Sequence, residues 1–307
     1  MCYSAQIKAD YLKFVRSFGA VIDIKAFFER FWARLTDKKV KVPKAMEALF
    51  AEPGTDDERK VKVLIDEFNA QQATALEQEL FKQVKRLADA ERTLQTKATK
   101  AATESRRIAI DKIEWAKGKL ADLRRTDIQE QDARMFPGWY VPVMISEGGQ
   151  RVIKPMRYQC RPAGKPAFYD SKFPGTYNAR RDSLRGFWRG LYGHSHGIMV
   201  VNAFYENVNR EGTNVVLEFN PRPQQDMLVA CLWSRWTGLD GEELLSFAAI
   251  TDEPPAEIAA AGHDRCIIPI KPEHVDAWLN PDPKKLEVQD AILDDRERPY
   301  YEHRLAA

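Results

Sequence analysis

The sequence is short of cysteine, of long apolar runs and of net charge, and each shortage removes a class of protein. Its four cysteines (Cys2, Cys160, Cys231, Cys266) form no CxxC pair, so neither a disulfide framework nor a structural zinc site is implied. No stretch approaches eighteen uninterrupted apolar residues, so no membrane partner is expected, and the early segment 8–31 is too charged for the core of a signal peptide. Lys and Arg number 47 against 45 Asp and Glu, a net charge of +2. Any polyanion site must therefore be a local patch rather than an attraction of the whole chain. A reducing cytoplasm is the default location, and no cofactor or metal is implied. His194 and His196 share one loop and His263 and Cys266 lie three apart, but neither pair brings the further ligands that a metal needs.

Glycine and proline are scarce in one long segment. Gly118 is the only one of either between Gly54 and Pro137, in a region dominated by Lys, Arg, Glu, Gln and Ala. Leu64, Phe68, Leu76, Leu80, Val84 and Leu87 share one helical face, and Ile110, Ile113, Leu120 and Leu123 share a later one. One straight helix of this length would reach about 110 Å at about 1.5 Å per residue, far beyond a domain diameter. A fold-back within 96–105 is therefore predicted, burying the two stripes against each other. The AEPGTDD loop should start the first helix, with Asp56 or Asp57 as N-cap. Such a hairpin is either a solvated decoration or, over 58–133, a surface for a protein partner or a second copy. Before it, Phe27, Phe28, Phe31, Trp32 and Leu35 mark a shorter amphipathic helix.

The period changes after Pro137. Residues 139–146, 151–158, 196–208, 214–220, 226–233 and 244–251 read as strands, with Pro142 and Pro155 moving the first two towards sheet edges. Few helical patterns separate them. The expected class is α+β: a mostly antiparallel β core with an inserted helical hairpin. Residues 1–50 hold the N-terminal strand and helix of that core, 51–136 the insertion, and 137–307 the β-rich remainder with a charged, surface-bound or frayed tail after Asn280.

Four stretches carry candidate chemistry: Cys2, the TYNARRDSL run with Asn178, Arg180 and Arg181, the strand NAFYENV with Glu206, and the loop GHDR with His263 and Arg265. Singly, each has an ordinary reading, as a turn asparagine, surface arginines, a strand-end carboxylate or a structural histidine. Cys2 has a chemical reading of its own. Once Met1 is removed, it offers an α-amine of pKa about 7.7–8.0 beside a thiol near about 8.5. A 1,2-aminothiol condenses with an aldehyde to an imine and then closes to a thiazolidine. A cysteine inside the chain cannot do this, because its amine is locked in a peptide bond.

Taken in order, Cys2, NAR (178–180), FYE (204–206) and GHDR (262–265), followed by a Trp-Leu pair at 278–279, resemble the SRAP family, the SOS-response-associated peptidases or abasic-site-processing proteins. The resemblance covers 1–10 and 137–280. The family usually begins Cys-Gly-Arg-Phe where this chain has Cys2-Tyr3-Ser4-Ala5. Its Arg-Trp-Gly-Leu appears here as Arg157-Tyr158-Gln159-Cys160, and its Glu-Trp as Glu206-Asn207. The resemblance implies a DNA-damage protein whose partner is single-stranded DNA containing abasic sites, associated with the nucleoid after damage. It implies that Cys2 crosslinks to the lesion, that Glu206 shuttles protons, that His263 is the acid on the sugar ring oxygen, and that Asn178 orients the amine or the sugar. Arg180, Arg181 and Arg265 would contact DNA phosphates. Tyr158, like Tyr177 and Trp188, is either a stacking platform for bases or a core aromatic. Two other readings stand: a non-catalytic binding module with a degenerate core, and a thiol peptidase using an N-terminal cysteine.

Overall fold

A computed structural model describes residues 2–6 and 16–306, with the side chains of Cys2 and Tyr3 outside that description. Among the described residues, four helices have nine or more residues: α1 (Ile24–Thr36), α2 (Asp56–Thr96), α3 (Lys100–Arg124) and α4 (Leu286–Asp294). The strands are β1 (Cys2–Gln6), β2 (Val21–Ile22), β3 (Arg134–Met135), β4 (Tyr140–Glu147), β5 (Gln150–Tyr158), β6 (Asn178–Arg180) and β7 (His196–Val201). They continue with β8 (Ala203–Arg210), β9 (Thr213–Arg222), β10 (Met227–Thr237), β11 (Glu243–Asp252), β12 (Cys266–Ile267), β13 (Pro269–Ile270) and β14 (Tyr300–Leu305).

The long helices form because their ends are capped and their interiors lack breakers. Thr55, one residue before the expected aspartates, caps α2: its hydroxyl accepts from the Glu58 N–H while the Glu58 carboxylate accepts from the Thr55 N–H. Thr99 caps α3 by accepting from the Ala102 N–H at 3.2 Å, which sets the fold-back at 97–99. The buried seam is lined by Gln83, Ala90, Ala102, Ala109, Ile113, Ala116 and Leu120. Small residues dominate it, so the helices approach closely, whereas Val84 and Ile110, expected inside, are 48% and 40% exposed. At its base the hairpin is anchored by Val61, Leu64 and Ile65 and by α1, whose Phe27 and Phe31 rings lie 5.5 and 5.9 Å from that of Phe50.

Two sheets make the β core. One runs β14-β9-β8-β1-β3, antiparallel throughout. The other follows β12-β11-β10-β7-β4-β5-β2, and β5 also pairs in parallel with β11, so that β11, β10, β7, β4 and β5 close on themselves as a small barrel. The fold is therefore α+β and mostly antiparallel, as expected. The run 196–208 is two strands, not one. It breaks at Asn202, whose N–H bonds to the Gln6 carbonyl at 3.0 Å, so β7 stays in the barrel and β8 enters the other sheet.

Pro142 and Pro155 lie on interior strands rather than edges. The register pairs them with each other at a position where both ring nitrogens face away from the partner strand, so the ladder between β4 and β5 loses no rung. On its opposite edge, β5 leaves Pro155 in the gap between its β2 partners (Val152, Ile153) and its β11 partners (Arg157, Tyr158). The tail after Asn280 is built in: α4 packs beneath the barrel, and β14 extends the five-stranded sheet with Tyr301 buried against Phe204 at 5.2 Å. Gln159 has φ of 151°, a conformation that favours glycine, at the place where the SRAP pattern usually has one. It is held by its N–H to the Phe247 carbonyl at 3.1 Å and by its amide to the Asp170 carbonyl at 3.1 Å.

Phe27 is fully buried at the joint of hairpin and core. Phe27→Ala should cost about 3–5 kcal/mol in denaturant unfolding. Phe81→Ala, at a position 76% exposed on the hairpin, should change stability by no more than about 0.5 kcal/mol.

Candidate active site

Along β8 the side chains of Phe204, Glu206 and Val208 share one face, because alternate residues of a strand point the same way. Phe204 and Val208 are core residues, and Glu206 between them is completely buried. A carboxylate placed among apolar neighbours is costly unless it is paired. Its partner is His263, whose Nε2 lies 3.0 Å from Glu206 Oε2. On the other side of β8, the register sets Cys2 of β1 directly opposite Glu206, with an irregularity between Cys2 and Ser4. The Cys2 thiol itself lies outside the described residues.

The loop carrying His263 reaches β8 because of one glycine. Gly262 has φ of 97°, and a Cβ there would stand 2.9 Å from Val208 Cγ1, so only glycine allows this approach. The other ring nitrogen of His263 meets the backbone of Arg265: Nδ1 is 3.0 Å from the carbonyl and 3.3 Å from the N–H. The Nδ1 edge fits the Arg265 backbone in two ways: protonated, it donates to the carbonyl, and unprotonated, it accepts from the N–H.

Asn178 sits on β6, paired with Ala249 of β11, and is 7% exposed. Among the described residues, neither its amide nitrogen nor its amide oxygen has a hydrogen-bond partner. A buried amide with both donor and acceptor uncommitted is disfavoured unless something else uses it. Asn178 is tied to the other three residues through β11, whose far end pairs with β12 just after the His263 loop. The ladder thus pairs Cys2 with Glu206, and a side-chain contact joins Glu206 to His263, with Asn178 on the neighbouring sheet.

The residues expected to contact DNA fall into different environments. Arg180 is the most open, its side chain 42% exposed beside Asp182 at 3.0 Å and Glu253 at 3.8 Å. Arg181 bridges Asp252 and Asp294, and so ties α4 to the barrel. The Arg265 side chain is 20% exposed, against Asp264. Tyr158 is 1% exposed, stacked on Phe247 at 5.1 Å and edge-on to Tyr177 at 5.7 Å. It is therefore a core residue, as are Tyr177 and Trp188, and the stacking expected of it is set aside. His196 is structural too: Nε2 accepts from the Gly193 N–H at 2.8 Å, Nδ1 bonds the Trp278 carbonyl at 3.1 Å, and burial pulls its pKa down to about 3. Among the described residues, no three His, Cys, Asp or Glu side chains stand together as metal ligands.

One neighbour escaped the sequence reading. Arg134 of β3 gives its Nε–H to the Ser4 hydroxyl at 3.0 Å, and its guanidinium lies 4.0 Å over the Tyr205 ring. Ser4 stands where the SRAP pattern carries Arg, so a guanidinium arrives there from across the sheet. Nothing in the local sequence places position 134 beside position 4. Cys266 was also unassigned. Its buried thiol is pushed far above the ordinary range, first by desolvation and then by the negative charge of Glu206 nearby.

The chain matches the model of the SOS response associated peptidase (SRAP) family over residues 90–305, more than half its length. It belongs to the SRAP family. The matched span includes Asn178, Glu206 and His263 and leaves Cys2 outside it. SRAP membership supports a DNA-damage-associated role and DNA as a partner. No curated protein matches the sequence. Among solved structures, a protein from Bordetella bronchiseptica is similar at 18% identity and a TM-score of 0.47, covering 60% of this chain and 90% of its own. A protein from Bacteroides thetaiotaomicron is 16% identical with a TM-score of 0.49, covering 59% and 80%. A phage-related protein from Bordetella bronchiseptica is 14% identical with a TM-score of 0.44, covering 60% and 85%. Among the described residues, no helix is long and apolar enough to cross a membrane.

Burial raises the thiols of Cys160 (to about 12), Cys231 and Cys266. At pH 8 each is almost wholly protonated, and a thiol is a poor nucleophile compared with its thiolate. Iodoacetamide at that pH should leave all three unmodified in the native protein and label them only after denaturation, as peptide mass mapping would read.

Proposed function

We propose that this SRAP protein captures abasic sites in single-stranded DNA through a thiazolidine formed by Cys2 after Met1 is removed. The observation that carries the reading is the convergence on one strand of three groups: Glu206 lies opposite Cys2 in the ladder and 3.0 Å from His263. An N-terminal aminothiol needs a base beside it and an acid for the oxygen that leaves, and a carboxylate–imidazole pair supplies both.

The steps balance without an external reagent. His263, as imidazolium, donates to the ring oxygen of the abasic deoxyribose while the C1′ hydroxyl gives its proton to water, and the ring opens to the C1′ aldehyde. The Cys2 amine, relieved of its proton by Glu206, adds to C1′ to give a carbinolamine. Protonation of that hydroxyl expels one water and leaves an imine. The Cys2 sulfur then adds to the imine carbon, its proton passing to the nitrogen, and the five-membered ring closes. Nothing is oxidised or reduced, and the adduct equals protein plus DNA less one water. Asn178, with its uncommitted amide, orients the amine or the sugar. Arg180, the most exposed of the named arginines, holds a flanking phosphate.

Wild-type protein mixed with an abasic oligonucleotide should give a denaturation-resistant band, and Cys2→Ala should abolish it. Persistence of the band in Cys2→Ala would sink the reading. Glu206→Gln keeps the shape but not the base, and should slow adduct formation by about 10²–10⁴-fold, measured by quenched time courses.

A further inference from the structure

Charge is distributed very unevenly along the molecule. Residues 82–107, the distal half of the hairpin, carry eight Lys and Arg against three Asp and Glu, a net +5. The whole chain is +2, so the remainder is −3. Each of the three carboxylates is already engaged within the hairpin: Asp89 by Arg92 at 3.1 Å, Glu91 by Arg106 at 3.8 Å and Glu104 by Arg107 at 2.6 Å. Among the described residues, Lys82, Lys85, Arg86, Lys97 and Lys100 have no carboxylate within ion-pair distance, and the four lysines are exposed.

Three of these cations border a concavity, and Lys97 and Lys100 flank Thr99 of its lining in sequence. Lys82, Lys85 and Arg86 line it together with the hydroxyl residues Thr93, Thr99 and Ser105, and Arg86 is fixed there by giving its Nε–H to Ser105 Oγ at 2.9 Å. Asp89 also lines the concavity. The N-terminus of α3, a helix of 25 residues, opens beside it and adds the positive end of its dipole. The lining holds no aromatic or large aliphatic side chain of the kind that anchors protein interfaces.

The position of this half of the hairpin matters as well. Among the described residues, the ion pairs and side-chain hydrogen bonds of residues 79–112 stay within the hairpin. From Glu77 to Thr96 the helix runs on for about 30 Å at about 1.5 Å per residue. A row of separated cations on a stiff arm matches the repeating charge of a sugar-phosphate backbone, which binds by releasing condensed counterions.

We propose that the distal hairpin is a second, sequence-independent nucleic-acid surface that holds the phosphate backbone of the strand through Lys82, Lys85, Lys97 and Lys100 and the Arg86 concavity. The choice of nucleic acid over another polyanion rests on the DNA-directed reading of the active site.

The test is the salt dependence of binding to an undamaged single-stranded oligonucleotide, comparing the full-length wild type with K82Q/K85Q/K97Q/K100Q. Glutamine keeps helix propensity, and circular dichroism with low-salt adduct formation on an abasic strand verifies fold and chemistry. The quadruple variant should lower the slope of log K against log salt by about 2–3 and weaken binding at low salt by at least about tenfold. K82Q/K85Q and K97Q/K100Q should each show about half of this, which guards against a folding defect in the quadruple variant. Unchanged slope and affinity, a wild type that does not bind the strand, or a variant altered only in oligomeric mass would each overturn the proposal. Failure of the adduct on abasic DNA with the slope difference intact would overturn the crosslinking reading alone.

Discussion

The carboxylate of Glu206 is the group around which the rest of the site is arranged. It is fully buried on the apolar face of β8, where an unpaired charge would cost several kcal/mol. The His263 imidazole meets it at 3.0 Å, and that contact makes demands on the surrounding chain. Gly262 must be a glycine for the loop to reach Val208, Arg265 must present its backbone to Nδ1, and β12 must hold the loop against β11. The same strand position then faces Cys2 across the ladder. Removing either partner leaves a buried polar group unsatisfied, so the site's stability and the proposed chemistry depend on the same pair.

Much of the fold was legible because it rests on local pattern. The helical hairpin followed from spacing and from the scarcity of glycine and proline, and its turn fell within the expected stretch. The α+β class followed from the change of period after Pro137. What failed was whatever depends on non-local pairing. The prolines Pro142 and Pro155 look like edge residues until the register sets them opposite each other. The break at Asn202 is invisible in an apolar run that continues through it. The tail looks frayed by composition, yet Tyr301 and β14 complete a sheet. Val84 and Ile110 look like seam residues, but alanines fill the seam and leave them outside.

The site shows the same division. Cys2 drew attention by its place after Met1, since a cysteine released from that residue would present amine and thiol together. Asn178, Glu206 and His263 were found through an ordered resemblance, because no spacing rule links residues so far apart in sequence. Tyr158 stood open between a base platform and a core aromatic, and burial between Phe247 and Tyr177 makes it core. Arg134 was missed, because its contact with Ser4 spans 130 residues of chain. The charge of the distal hairpin, by contrast, is visible in sequence and becomes informative only when the fold shows its carboxylates already paired and its lysines exposed.

The central claim is that an N-terminal Cys2, beside Glu206 and His263, bonds covalently to the aldehyde of an abasic site. Intact mass spectrometry before and after incubation with abasic single-stranded DNA, followed by peptide mapping, tests it most directly. The expected result is a chain lacking Met1 that shifts by the mass of the oligonucleotide less one water, with the modification on the peptide that begins at Cys2. An adduct on a chain that retains Met1, an adduct mapped to another residue, or no mass shift at all would contradict it.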